Sequence, residues 1–130
     1  MIRLRRGNSL GRAAVPGGAS ATTAPVIEAS YLRLLALLDA HLTTARFLFG
    51  ARPASADFAL YGQLTQLVGF DPTPAALARR RAPRVVAWVD LVEDLSGLEP
   101  DDAAWPATAD LPATVRALVG EVGRVYVPFL

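Results

Sequence analysis

FLFGARPASADFALYGQL, residues 47–64, is the stretch from which the rest of this chain can be read. An aromatic–apolar run, Phe47–Leu48–Phe49, reads as the end of a helix and meets Gly50, a residue suited to terminating it in the left-handed conformation. A short turn carrying Pro53 follows. Asp57 then falls in the first turn of a helix that is apolar from Phe58 to Leu64. A carboxylate there accepts hydrogen bonds from backbone amides that have no partner inside the helix, and its charge favours the positive helix end. This is a capping arrangement at the mouth of a core helix, and its work is folding. Asp57 is therefore expected to be buried, and its loss to cost on the order of 1–2 kcal/mol, as for other lost caps.

Outward from this stretch the pattern stays helical. On the N-terminal side Tyr31, Leu34, Leu35, Leu38 and Leu42 recur at the spacing of one buried helical face, with Leu32 and Leu37 as a second apolar flank. On the C-terminal side the helix that Asp57 opens runs through Phe58, Leu60, Tyr61, Leu64, Leu67 and Val68. A third pattern uses Val85, Trp88, Val89, Val92 and Leu95, opening after Pro83 and closing before Gly97. A fourth follows Pro112 with Val115, Leu118, Val119, Val122 and Tyr126. Prolines punctuate the joins, each biasing the residue before it away from helix. A short extra helix fits residues 74–81, and no strand-like alternation of any length is present. The expected fold is all-α, a bundle of four to five helices.

Residues 1–27 differ. They carry Arg3, Arg5, Arg6 and Arg12 with no acid, and they are dense in glycine and proline. An organelle transit peptide would be arginine-rich and acid-poor, but serine is sparse and no amphipathic stripe is evident. The segment is read as a flexible or disordered leader, with a helical domain over 28–130.

Composition narrows the chemistry. The chain has 130 residues, 52% of them hydrophobic and 19% charged, enough apolar side chain for one domain's core. A net charge of +1 argues against a dedicated nucleic-acid binder. The absence of cysteine removes thiolate metal sites and cysteine nucleophiles, and one histidine excludes two-histidine mechanisms within this chain. No apolar run reaches the roughly 20 residues of a membrane span, so no membrane partner is expected.

No residue stands out as catalytic, and no metal site is expected. His41 would need an orienting carboxylate to act as a base, and Asp39 points to another side of the helix. It reads as a surface or helix-C-terminal histidine, favoured there by the macrodipole. Asp90, Glu93 and Asp94 read as the solvated side of their helix, and Glu99, Asp101 and Asp102 as exposed loop charge. Arg79, Arg80, Arg81 and Arg84 form the strongest basic patch but lack interleaved aromatics that would stack bases.

Gly50, Pro53, Ala56, Asp57 and Phe58, continued by Leu60–Tyr61–Gly62–Gln63–Leu64, resemble a motif of the C-terminal helical domain of glutathione S-transferases. That motif is Gly-x-x-Pro-Ser-x-Ala-Asp-Phe-like and starts the central core helix. The resemblance extends over most of residues 28–129. EASYLRLLALLDAHL (28–42) is similar to the first long helix of that domain. FDPTP (70–74), APRVVAWVDLVEDLSGLE (82–99) and EVGRVYVPFL (121–130) look like a bacterial subgroup of transferase-like proteins. Two departures stand out. Where the family has Ser or Thr three residues before the aspartate, this chain has Ala54, with Ser55 one residue later. Either the hydroxyl half of the capping box is missing, or Ser55 caps a shifted helix start. The second departure is the thioredoxin-like domain that precedes the helical domain in the family and holds nearly all glutathione contacts. Residues 1–27 are not expected to form it, and the chain is expected to lack the closing C-terminal tail.

The resemblance implies a helical half of a cytoplasmic glutathione S-transferase, with glutathione as co-substrate but not bound by this chain alone. Its first long helix would line the electrophile pocket through Tyr31, Arg33, Leu34 and Leu38, with core packing as the alternative for the three apolar members. A non-catalytic interaction or dimerisation module is the other class. A helical domain without its partner would expose an apolar patch of several hundred Å², so a homodimer or an aggregation-prone monomer is expected.

Overall fold

The computed structural model describes residues 20–99 and 105–129. Five α-helices follow one another: α1 (Ala24–His41), α2 (Ser55–Leu64), α3 (Pro72–Arg81), α4 (Pro83–Glu93) and α5 (Ala113–Val125). The expected all-α bundle is thus present. Among the described residues the β-type pairing is an isolated bridge between Phe47 and Gly50.

α1 begins at Ala24, ahead of Glu28, so the last residues read as leader form its first turn. Pro25 fits there because the first turn of a helix needs no intrahelical N–H. Ser20 and Thr23 brace the entry reciprocally: Ser20 N donates to Thr23 Oγ1 at 2.8 Å and Thr23 N to Ser20 Oγ at 3.1 Å. The rest of the leader, residues 1–19, lies outside the described residues. Further along, Tyr31, Leu35, Leu38 and His41 form the buried face of α1.

α2 passes into a π-helical turn, Thr65–Phe70, and Asp71 then starts α3 by accepting from Thr73 N at 3.1 Å. α3 and α4 are separated at Ala82, which precedes Pro83 and sits outside the α region at φ −146°, ψ 63°. α4 buries Val85, Trp88, Val89 and Val92, the stripe read from the sequence. α5 runs antiparallel to α1, because Arg33 meets Glu121 and His41 meets Thr114.

The core lies between α1, the end of α3 and α4, with Leu35, Leu38, Ala78, Ala82 and Val85 wholly buried. α2 does not occupy its centre as expected. Only the face of Asp57 and Leu64 is buried, continued by Val68 in the π turn, and Phe58 is half exposed. The reason is angular. Phe58, one residue after Asp57, lies about 100° around the helix from it, so both cannot face inward. α5 is covered only over its first half: Val115 and Leu118 are buried, whereas Val119, Val122 and Tyr126 are exposed.

Candidate functional site

Asp57 is where the segment between α1 and α2 is gathered. Its Oδ1 accepts the Leu48 N–H at 2.8 Å and its Oδ2 accepts the Ala54 N–H at 2.9 Å. The residue has no exposed surface. Burial pushes its carboxyl above the usual carboxylate range, against the opposing pull of the two N–H groups and of nearby His41. Ala54 is the N-cap, in extended conformation, and its methyl accepts nothing; Asp57 N instead bonds the Ala54 carbonyl at 3.0 Å. The choice left open by the sequence is settled: the hydroxyl half of the box is missing, and Ser55 is an exposed first helical residue.

Phe47–Gly50 is a tight turn and not the end of a helix. α1 has already stopped at His41, and Phe47 and Gly50 exchange backbone hydrogen bonds of 2.9 and 3.1 Å. Gly50 at φ +115° closes this turn in a conformation that side chains disfavour. Of the two readings of His41, the helix-C-terminal one holds and the surface one is corrected. It does end α1, but it is fully buried. Its Nε2 lies 3.0 Å from the Phe47 carbonyl, which can only accept, so Nε2 carries a hydrogen. Its Nδ1 meets the Thr114 hydroxyl at 2.8 Å. One imidazole thereby joins the end of α1, the 47–50 turn and the start of α5. Periodicity gave no signal for this, because Phe47 lies outside any helix and Thr114 is 73 residues away.

The four residues read as pocket-lining are not brought to one surface. Leu38 is wholly buried. Tyr31 is buried and donates its O–H to the Pro74 carbonyl at 3.2 Å, and burial pushes its phenol pKa up. Both occupy core positions. Arg33 and Leu34 keep accessible surface. Arg33 Nε bonds Glu121 at 2.8 Å, and Arg124 bonds the other oxygen of the same carboxylate. These arginines hold the Glu121 carboxyl below its usual range, Arg124 first.

Two clefts open elsewhere. One of about 460 Å³ lies where the end of α1 meets α4, beside Arg46, Arg84 and Leu91. Another of about 410 Å³ lies beside the start of α2, between Phe49, Ser55, Trp105 and Leu111. There the Arg52 guanidinium sits 4.5 Å from the Trp105 ring centroid, a cation–π contact. Sequence reasoning passed over Arg46, Arg52 and Trp105; a tryptophan outside every helical stripe was the one signal available. Arg79, Arg80 and Arg81 are exposed in the last turn of α3, where they face its negative dipole end. Asp90, Glu93 and Asp94 are exposed as expected, whereas Asp101 and Asp102 lie outside the described residues. No group of three or more metal-capable side chains occurs among the described residues.

A family model described as the glutathione S-transferase, C-terminal domain, matches residues 13–91. The chain belongs to that family. No curated protein and no solved structure matched it. The match ends at Leu91 inside α4, so α5 lies beyond the part of this glutathione S-transferase C-terminal domain that the family model recognises. Residues 13–19 of the match fall outside the described residues. Among the described residues no helix is long and apolar enough to cross a membrane.

Proposed function

We propose that this chain is the helical half of a cytoplasmic glutathione S-transferase-like protein and acts together with a thioredoxin-like domain. In that assembly the partner domain supplies glutathione binding and activates its thiol, and the thiolate attacks an electrophilic carbon. The helical domain contributes one wall of the electrophile pocket. The observation that carries this reading is the buried Asp57 hub, formed on the residues that resemble the transferase motif, inside a chain matched by the family model. On the wall offered by α1, Arg33 and Leu34 are the accessible members, and Tyr31 and Leu38 support them from the core.

The test is to assay the purified chain with glutathione and 1-chloro-2,4-dinitrobenzene, alone and fused behind a thioredoxin-like transferase domain. The expected outcome is no turnover and no tight glutathione binding by the chain alone, with activity in the fusion that falls on Leu34→Ala. Tight glutathione binding or turnover by the chain alone overturns the reading.

A second reading, a non-catalytic interaction module that forms a homodimer, is favoured by the apolar surface left on α5. Val119, Val122 and Tyr126 are each at least half exposed on one face of the helix, with Val127 beyond them. The antiparallel register of α1 and α5 brings Val26 and Ile27, also exposed, toward the same end of the bundle.

A further inference from the structure

Where α1 ends and α4 begins, the cleft of about 460 Å³ carries a combination that the transferase reading does not use. Its cations are Arg46 and Arg84; its apolar surface comes from Leu42, Leu91 and Trp88. The two arginines are in different situations. Arg84 is committed to Asp39: its backbone N–H and its Nη1 hold the two carboxylate oxygens at 3.0 and 2.9 Å. That contact also fills the amide end of α4 with an anion from the chain itself.

Arg46 is anchored but unspent. The Trp88 indole N–H donates to its carbonyl at 3.1 Å, which fixes its backbone against α4. Its side chain forms no ion pair and no hydrogen bond among the described residues. The neighbouring hydroxyls do not compete for an anion. Thr43 Oγ1 donates to the Ala40 carbonyl at 2.7 Å and Thr44 Oγ1 to the His41 carbonyl at 3.2 Å. Each hydroxyl has one hydrogen, so both now turn only lone pairs toward a ligand. Charge recognition therefore falls to one guanidinium, and Asp39 close by disfavours a ligand of higher negative charge.

We propose that this cleft is a binding site for a small monocarboxylate with an apolar body. The carboxylate takes two parallel N–H bonds from the fork of Arg46, the geometry in which arginine and carboxylate match best. The body lies against Leu91, Leu42 and Trp88. The site is separate from Arg33 and Leu34 and needs no partner domain, so its test stands or falls apart from the transferase reading.

The experiment titrates the full chain with 2-naphthoate and follows backbone amide shifts by NMR, with the neutral 2-naphthalenemethanol as the matched probe. Saturable shifts centred on residues 42–46 and 84–91 are expected. In Arg46→Gln the dissociation constant should rise about tenfold, the loss of one charge-assisted pair, with an unchanged unfolding midpoint. Arg52→Gln, beside the other cleft, should bind as the parent does. Absence of saturable binding overturns the proposal. So does equal affinity for the neutral alcohol, an Arg46→Gln variant that binds as before, or shifts centred on Phe49 and Trp105.

Discussion

Asp57 holds two backbone N–H groups on its two oxygens without any exposed surface, which makes it the most demanding side chain in the segment it organises. Asp57→Asn keeps the shape but has one acceptor oxygen, so its amide must face either the Leu48 or the Ala54 N–H. Stability should drop by about 2 kcal/mol, the cost of a buried donor left unmatched, measured by urea unfolding. The pH dependence has a definite sign. The folded carboxyl is raised above an unfolded value of about 3.9, so the folded state binds this proton more tightly. Its stabilisation is complete below the unfolded value and is lost as pH rises through the folded one. The stability advantage of the parent over Asp57→Asn should therefore shrink as pH rises above about 4; an advantage that grows over that range would contradict the burial effect. Ala54 offers the converse test. Its extended backbone already suits an N-cap, so Ala54→Ser supplies the missing acceptor and should raise stability by about 1 kcal/mol, read as a higher urea midpoint.

At the scale of elements, α1 is the helix against which α3, α4 and α5 are placed. Its buried face meets α3 and α4, and its seam with α5 is fixed by Arg33–Glu121 at one point and His41–Thr114 at another. Leu38 lies on that buried face with no exposed surface. Leu38→Ala should cost about 2–5 kcal/mol by leaving a cavity, observed as a lower unfolding midpoint in the chain alone. A pocket-lining leucine would instead be replaced at little cost to folding, so this measurement separates the two roles. The two arginines of the Arg33–Glu121–Arg124 group are exposed, and the group should matter mainly for the register of the two helices, since surface ion pairs contribute little net stability.

For the whole molecule, the uneven cover of α5 is the dominant feature. One stripe is sealed at Val115 and Leu118 and open at Val119, Val122 and Tyr126. Continuous apolar surface of this kind favours association. Light scattering over a dilution series should show a dimer that dissociates as concentration falls. The double substitution Val119→Glu and Val122→Glu should leave a monomer of unchanged unfolding midpoint, because both side chains are already solvated. A parent chain that is monomeric at every concentration would remove the dimerisation reading.

Local sequence determined the helical class, the breaks at Pro72 and Pro83, the stripe of α4 and the buried capping aspartate. These depend on spacing and on backbone chemistry within a few residues, and 3.6-residue periodicity and proline sterics act whatever the rest of the chain does. Tertiary structure alone decided that α2 is half exposed, that His41 is buried between Phe47 and Thr114, and that the Arg46 side chain beside a cleft has no partner among the described residues. Each of these is set by which remote residues arrive next to one another. Leu38 shows the division within a single residue: its helical face was legible in the sequence, but whether that face met other helices or an open pocket was settled by how the bundle closes around it.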